Sequence, residues 1–248
     1  MRITICDDKH DLGNEAAKLG ITLIKQAIEE RGGATITMAT GLSQSSLYTH
    51  LTASDLDWSA VTVFGLNEYV GISSAHPSSF RHYLQTRFIA NVHDLKAYHE
   101  VQGDAADLDA EVARLNGLVN GREIDVAFLG IGENGHIGFN DPPANFITTD
   151  PYIIVDLDER CRRQQVGEGW FRTLSEVPRK AITMSVRQML HSRHVICSVP
   201  DQRKARAVAM CIYDQISPYS PASVLRTKHE CTLFLDRTSS ILIMGDQR

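Results

Sequence analysis

Short β-rich apolar runs alternate with longer stretches of helical periodicity along most of the chain. An apolar run of this length between polar segments is typical of a strand that is buried on both faces. We predict about eight strands from this pattern, at Arg2–Cys6, Ala34–Ala39, Ala60–Leu66, Ile124–Leu129, Tyr152–Val155, Ala181–Met184, His194–Val199 and Cys231–Leu235.

The segments between these strands carry apolar residues at helical spacing. The clearest helices are predicted over Leu12–Glu30 and over Asp104–Leu118, which is rich in Ala, Leu and acidic residues. The pair Gly32-Gly33 tolerates a left-handed backbone, so it is predicted to end the first helix.

The alternation of strands with helices predicts the fold class. A helix that connects two strands of one sheet is a crossover, and crossovers make the strands parallel. We therefore expect an α/β protein with three α/β/α layers around a modified Rossmann-like, mostly parallel sheet. No long linker or low-complexity segment divides the sequence, so residues 1–248 are expected to form a single domain.

The composition excludes several classes of protein. Hydrophobic residues make up 43% of the 248 residues and charged residues 22%, which excludes disorder and fibrous repeats and allows a sizeable core. The 25 Lys and Arg against 30 Asp and Glu give a net charge of −5, and no dense basic stripe is present. Nucleic acid is therefore not an expected partner.

Cysteine usage and the amino-terminal segment predict the compartment. The five cysteines are widely spread, with no C-x-x-C pair and no metal-ligand spacing, so we expect reduced thiols and no metal. The first residues lack the apolar core of a secretion signal, and no apolar run approaches the roughly 18 residues of a membrane span. The expected location is the cytoplasm, without membrane association.

Polar loops after the strands are the expected place for a ligand, because parallel sheets bind ligands at the carboxyl ends of their strands. The first such loop is 39–48, in which Gly41 is followed by Ser43 and Ser45. Backbone N–H groups and hydroxyls at the start of a helix suit a phosphate group. The alternative is that one of these serines only caps the helix.

The second loop is 64–70, which contains Asn67 and Glu68 at the end of a predicted strand. An amide beside a carboxylate can orient a sugar hydroxyl and accept a proton. Adjacent strand residues point to opposite faces, so the two side chains are expected to share one site only if the backbone bends. A solvated turn is the alternative.

The third loop, 128–143, contains the strongest candidate chemistry. It places His136 between Asn134 and Asp141 among four glycines, which let backbone and ligand approach closely. A histidine can move a proton either way near neutral pH, and a carboxylate five residues later can hold its ring and fix its tautomer. The dinucleotide fingerprint is absent, since the G-x-G here leads into Glu-Asn-Gly-His.

These three loops, in this order, resemble the glucosamine-6-phosphate deaminase (isomerase) family. That family includes galactosamine-6-phosphate isomerases and, more distantly, 6-phosphogluconolactonases. The resemblance runs from about residue 35 to 240 and is carried by A-T-G-L-S at 39–43, L-N-E-Y-V-G at 66–71, G-I-G-E-N-G-H-I-G-F-N-D-P at 130–142, R-K-A at 203–205 and P-A-S-V-L at 221–225. The F-N-D-P ending fits the deaminase branch better than the lactonases.

The resemblance implies an activity and a set of site residues. The family converts an amino-sugar 6-phosphate to a ketose 6-phosphate and ammonia, without a cofactor. His136 would be the acid/base that opens the pyranose ring, supported by Asn134 and Asp141. The positions that match the phosphate-binding residues are Gly41, Leu42, Ser43 and Lys204.

One departure from the family pattern concerns the base that removes the C2 proton. The family has Asp in L-D-E-Y where this chain has Asn67, and an amide cannot act as a general base. A general base contributes roughly 100- to 10,000-fold, which sets the scale of the expected loss. Glu68, a water molecule or His136 would then have to take over. Asp141 stands at the usual Glu and keeps the charge with a shorter reach.

Other departures concern the phosphate site. Gly169 stands where many deaminases have a phosphate-binding Arg, and Arg162 or Arg163 is a candidate replacement. Gln44 replaces the usual Pro, which is expected to loosen the loop, and Leu42 replaces a hydroxyl residue.

Two other functions are consistent with the sequence. A sugar-phosphate-binding paralogue without catalysis would explain Asn67, and a lactonase would need only His136-assisted attack by water. The expected ligand in each case is a small sugar phosphate. The sequence leaves open the sugar epimer, an allosteric effector and a possible homo-oligomer.

Overall fold

The computed structural model describes residues 1–244 and contains ten strands in that range. They are β1 Arg2–Cys6, β2 Ala34–Met38, β3 Val61–Gly65, β4 Asn67–Tyr69, β5 Ala97–His99, β6 Val126–Leu129, β7 Tyr152–Asp156, β8 Lys180–Met184, β9 His194–Val199 and β10 Cys231–Asp236. The seven α-helices are α1 Lys9–Arg31, α2 Ser45–Thr52, α3 Phe80–Arg87, α4 Leu108–Val119, α5 Glu159–Gly167, α6 Val186–His191 and α7 Ala205–Tyr213.

Seven strands form one sheet in the order β1-β10-β9-β6-β2-β3-β5, and every neighbouring pair is parallel. Helices cover both faces. The expected three-layer, Rossmann-like α/β fold is therefore confirmed. That the whole chain forms one domain stays a prediction.

A second, three-stranded sheet departs from the expected arrangement. It has the order β4-β8-β7, and both of its strand pairs are antiparallel. Strands β7 and β8 therefore belong to this second sheet and not to the main parallel sheet. The strand predicted over Ala60–Leu66 ends at Gly65, and the chain turns at Leu66 to enter the second sheet as β4. Strands β4 and β5 were not predicted, because three residues are too few for a periodic pattern.

The core lies on both faces of the main sheet because strand residues alternate in direction. In β6, Val126 and Phe128 pack in the cluster that includes α1, whereas Ala127 and Leu129 pack in the cluster on the opposite face. All four are fully buried. A buried parallel sheet requires apolar residues on both faces, which explains the unbroken apolar run in the sequence.

Side-chain caps set the bounds of the two predicted helices. The Asp8 carboxylate accepts hydrogen bonds from the backbone N–H groups of His10 and Asp11, so α1 begins three positions before the predicted start. Gly32, with φ of 71°, ends α1 as predicted. Asp107 caps α4 through the N–H of Ala110, so that helix begins later than expected.

No helix within residues 1–244 is both long and apolar enough to span a membrane.

Close packing of α1 on the sheet generates the first prediction. A Cβ atom at Gly20 would lie 2.6 Å from the ring of Phe128, while a Cβ at Gly117 in α4 would meet nothing within 4 Å. We expect Gly20→Ala to lower the free energy of unfolding by about 1–3 kcal/mol through overpacking. Gly117→Ala should raise it by about 0.5–1 kcal/mol through helix propensity. Urea unfolding of both variants checks this, and equal effects would contradict the packing argument.

Candidate functional site

The three polar loops meet in one cleft at the carboxyl edge of the main sheet. Strands β9, β6, β2 and β3 are consecutive neighbours, so the loops that follow them are adjacent. The cleft is lined by Ala39, Thr40, Gly41, Leu42, Ser43, Leu66, Asn67, Phe80, Gly130, Ile131, Gly132, His136, Gly138, Phe139, Gln164, Gln165, Glu168, Trp170 and Lys204. Of the predicted site residues, Glu68, Asn134, Asp141, Arg162 and Arg163 are not in its wall.

The loop after β2 has the features of an anion-binding turn. Gly41 has φ of 114°, a conformation that side chains disfavour, and its carbonyl accepts a hydrogen bond from Tyr83 Oη at 3.1 Å. A 3-10 turn and α2 follow, and neither has a side-chain cap. The alternative that Ser43 or Ser45 serves as a helix cap is therefore wrong. Leu42 is 53% exposed and adds no polar group.

Gln44 fixes this loop to the sheet. Its side chain is completely buried, and Nε2 donates to the carbonyl oxygens of Leu129 and Ser198, each at 3.3 Å. These carbonyls lie at the ends of β6 and β9. The expectation that Gln44 loosens the loop in place of Pro is therefore wrong, since its amide links the loop to two strands.

Asn67 begins β4 and faces the cleft. Its side chain is only 6% exposed and makes no hydrogen bond with the residues that the structure describes. A largely buried amide with free donor and acceptor groups is available to a ligand. The chain turn after β3 gives Asn67 this position.

Glu68 points away from the cleft, as strand alternation predicts. Its Oε1 accepts from the backbone N–H groups of Tyr69 at 2.9 Å and Phe80 at 3.1 Å, and its Oε2 accepts from Ser79 Oγ at 2.6 Å and the N–H of Arg81 at 2.8 Å. Burial raises its pKa, and these hydrogen bonds act in the opposite direction. The carboxylate thus holds the start of α3, and the suggestion that Glu68 replaces the C2 base is wrong.

The loop after β6 holds His136 through two polar partners. His136 Nδ1 lies 3.0 Å from Asp141 Oδ1, and the His136 backbone N–H donates to Asn134 Oδ1 at 3.1 Å. Asn134 Nδ2 donates to Asp141 Oδ1 at 2.9 Å and to Asp158 Oδ2 at 3.1 Å. Because Asp141 faces Nδ1, this carboxylate favours the tautomer that leaves Nε2 free to accept a proton.

Gly132 brings the imidazole close to the backbone. A Cβ atom at this position would lie 2.2 Å from His136 Nε2 and Cε1, so only glycine leaves space for the ring. The backbone N–H of Gly132 also donates to the carbonyl of His136 at 2.9 Å. The second glycine of the G-x-G segment therefore leaves space for the His136 ring and is not part of a dinucleotide-binding loop.

The surroundings of Asp141 stabilise its ionised form, although the side chain is buried. Burial alone would raise its pKa, but the nearby imidazole of His136, the Asn134 amide and the backbone N–H of Asp158 lower the pKa overall. The Asp158 N–H lies 2.9 Å from Asp141 Oδ2. Both oxygens therefore have partners on the loop and on the segment that leads into α5.

Among residues 1–244, one group of three side chains has metal-ligand geometry. His136, Asp141 and Cys161 place ligand atoms within 4.8 Å of one another. Burial and the neighbouring Asp141 raise the pKa of the Cys161 thiol well above its usual value, which opposes the thiolate that a metal requires. The donor set thus fits a metal poorly.

The two arginines suggested for the phosphate do not reach the cleft. Arg162 donates to the backbone carbonyls of Leu174 at 2.6 Å and Val177 at 2.9 Å, so it holds the segment after α5. Arg163 pairs with Glu159 on the surface. The suggestion that either supplies the guanidinium is wrong, because both are engaged elsewhere and neither lines the cleft.

Lys204 enters the cleft from the turn before α7, but it is paired. Its Nζ lies 3.3 Å from Glu168 Oε1, and the two side chains are only 7% and 9% exposed. Sequence reasoning did not identify Glu168. The only signal was its position next to Gly169, where the family pattern has an Arg.

The wall opposite the sheet contains further residues that the sequence did not single out. Gln165 Oε1 accepts from Tyr69 Oη at 2.7 Å, and Gln164 Oε1 accepts from the backbone N–H of Glu133 at 2.8 Å. Aromatic rings of Phe80, Phe139 and Trp170 complete the wall. Consecutive glutamines in a helix gave a weak sequence signal, while the aromatic residues gave none.

Comparison with known proteins identifies the family. The profile of the family described as glucosamine-6-phosphate isomerases/6-phosphogluconolactonase matches residues 7–234. The chain belongs to this family. Glucosamine-6-phosphate deaminase 1 of Bacillus subtilis (strain 168) is 32% identical over 248 residues, covering 98% of this chain and 99% of the relative.

Solved structures agree with this assignment. A monomeric glucosamine-6-phosphate deaminase matches with a TM-score of 0.88 at 31% identity, covering 98% of this chain and 100% of the other. A 6-phosphogluconolactonase from Shewanella baltica OS155 matches with a TM-score of 0.80 at 16% identity, covering 95% and 97% of the two chains. The second likeness shows a common fold alone.

The four donors around Glu68 generate a stability prediction. Glu68→Gln replaces an acceptor by an NH2 group that faces other donors, so we expect the free energy of unfolding to fall by about 1–3 kcal/mol. Glu29→Gln, on the exposed face of α1, is the control and should change little. Urea unfolding measures both. An unchanged stability for Glu68→Gln would mean that this carboxylate does not hold α3.

The lowered pKa of Asp141 generates a pH prediction. A carboxyl whose folded-state pKa lies below its unfolded value stabilises the fold above the unfolded value, and this stabilisation is lost as pH falls. We expect the unfolding free energy of the wild type to fall more steeply from pH 5 to pH 3 than that of Asp141→Asn. Asp150→Asn, at an exposed position, should keep the wild-type slope. Parallel slopes for the wild type and Asp141→Asn would contradict the assigned pKa direction.

Proposed function

We propose that this protein converts an amino-sugar 6-phosphate to a ketose 6-phosphate and ammonia. The observation that carries the proposal is the buried His136–Asp141 pair, 3.0 Å apart, whose imidazole lines a cleft that also contains the Gly41 loop and Lys204. Family membership supports the same class of substrate. The relatives and structures named above include proteins described as glucosamine-6-phosphate deaminases.

His136 is the proposed acid/base for ring opening. With Nδ1 held against Asp141, Nε2 accepts the proton of the O1 hydroxyl and returns it to the ring oxygen as the C1–O5 bond breaks. An open-chain aldehyde results. Asp141 stabilises the imidazolium that forms briefly, and Asn134 keeps the loop and the carboxylate in place.

The phosphate is proposed to bind at the opposite end of the sugar. Backbone N–H groups of the turn after Gly41, the Ser43 hydroxyl and Lys204 are the available donors. Leu42 contributes its backbone N–H only. No guanidinium takes part in this proposal, because Arg162 and Arg163 lie elsewhere.

Removal of the C2 proton is the step that this chain changes. Asn67 occupies the position of the family's base and Glu68 is engaged in holding α3, which leaves a water molecule or His136 as the acceptor. The enolamine that forms is protonated at C1, and the C2 imine is hydrolysed to release ammonia. No cofactor takes part in these steps.

A sugar-phosphate-binding protein without turnover is the second candidate. Asn67 favours it, because an amide in the cleft can bind a hydroxyl but cannot remove a proton. Both candidate functions bind a sugar phosphate, but only the enzyme converts it, so a turnover assay distinguishes them.

Ammonia release from glucosamine 6-phosphate and galactosamine 6-phosphate tests the proposal. We expect measurable turnover by the wild type and an increase of roughly 100-fold or more in kcat for Asn67→Asp, the scale of a general base. Gln85→Glu adds the same charge on the exposed face of α3 and should leave turnover unchanged.

Each outcome of that assay has a distinct meaning. No ammonia from the wild type with either sugar, at high enzyme concentration, would contradict the proposed activity. Turnover by Asn67→Asp alone would favour the binding function. Wild-type turnover without a gain in Asn67→Asp would place the base elsewhere in a working site.

We further propose that the protein acts in the cytoplasm on a small sugar phosphate. All five cysteines are free and buried, which is consistent with a reducing compartment. Assembly into a homo-oligomer, the lack of nucleic-acid partners and the lack of a metal stay predictions.

A further inference from the structure

The end of the cleft around Lys204 contains a carboxylate as well as an ammonium group. Three lining residues are ionisable, namely Glu168, Lys204 and His136. With the imidazole neutral, the charges of Glu168 and Lys204 cancel. A sugar phosphate, which carries about two negative charges near neutral pH, therefore meets no excess positive charge from side chains.

Glu168 is fixed in this position by three donors. Its Oε1 accepts from Lys204 Nζ at 3.3 Å and from Gln164 Nε2 at 2.7 Å, and its Oε2 accepts from Trp170 Nε1 at 3.2 Å. Gln164 is in turn held by the backbone N–H of Glu133. A side chain with so many partners and only 9% exposure stays beside Lys204.

The arginines near this end of the cleft lie outside its wall. Arg203 is 47% exposed and directs its guanidinium to Asp201 at 2.9 Å and Glu133 at 3.9 Å. It lies in a neighbouring cavity together with Arg160, Arg163 and Arg206. Lys204 is therefore the one side-chain cation in the wall of the cleft within the described residues.

A phosphate that shares Lys204 with Glu168 is close to a like charge. An ammonium group directs its N–H bonds tetrahedrally, and its hydrogen bonds are about 2.9 Å long. A carboxylate oxygen and a phosphate oxygen that both accept from Lys204 would therefore lie roughly 4.5–5 Å apart. At that distance, in a largely buried site, repulsion between a carboxylate and a phosphate dianion opposes binding. Neutral sugar hydroxyls at the same place experience no such repulsion.

We propose that Glu168 is a specificity-determining residue that weakens the hold of this cleft on a fully ionised phosphate. The inference rests on the proposed sugar-phosphate substrate and adds a residue to it. Glu168 acts on binding through Lys204 and takes no part in proton transfer. The Michaelis constant for the sugar phosphate is therefore higher than a free Lys204 would give.

Glu168→Gln tests this inference, because Gln has the same shape and removes the charge. The probe is inorganic phosphate, titrated calorimetrically into the wild type and the variant at fixed pH and ionic strength. We expect the dissociation constant to fall about tenfold in Glu168→Gln. Where turnover is measurable, KM for glucosamine 6-phosphate should fall by a similar factor, with kcat within about twofold.

Matched variants separate charge from structure. Glu168→Asp keeps the charge and should bind phosphate as weakly as the wild type. Glu133→Gln removes a charge outside the wall of the cleft and should change the dissociation constant by less than about twofold. Glu168→Ala serves as a second charge-free variant if Glu168→Gln does not fold, with thermal unfolding as the check on folding.

Phosphate binding by the charge-free variants at position 168 decides the inference. Tighter phosphate binding by the charge-free variants supports the inference, even if no ammonia is released and the proposed activity fails. Unchanged binding overturns it. Weaker binding also overturns it and would mean that Glu168 orients Lys204 toward the phosphate. Ammonia release together with unchanged phosphate binding would reject this inference alone.

Discussion

The cleft depends on one buried carboxylate. Asp141 faces His136 with one oxygen and receives the backbone N–H of Asp158 with the other, so it joins the loop after β6 to the start of α5. The following helix and turn carry Gln164 and Glu168 in the opposite wall. The Asp141 carboxylate therefore sets both the orientation of the His136 imidazole and the position of the wall that contains Gln164 and Glu168.

The parallel sheet explains why much of this could be predicted from sequence. Apolar runs buried on both faces are distinctive, and carboxyl ends of neighbouring strands must meet at one edge. The three loops around Gly41, Asn67 and His136 could therefore be singled out as places for a ligand. Side-chain alternation also correctly separated Asn67 from Glu68, although both remained candidates for one reaction.

The rest required tertiary information. Strand β4 is three residues long and pairs with β8, which lies more than a hundred residues away, so no local pattern reveals it. The arginines of α5 could not be placed because the face of a charged helix is ambiguous from sequence. The pairing of Glu168 with Lys204 joins a turn after α5 to the start of α7, and neither segment predicts the other.

Asn67 and Glu168 together determine the net charge of the cleft. Asn67 is a neutral amide and the charge of Glu168 cancels that of Lys204, so the lining side chains carry no net charge when His136 is neutral. A carboxylate at position 67 would make the lining negative and add to the repulsion of a phosphate dianion. The neutral amide of Asn67 therefore avoids a second negative charge in a cleft that already contains Glu168. In the proposed reaction, a base gained at position 67 would therefore oppose retention of the phosphate, so substrate binding and proton removal must be measured separately.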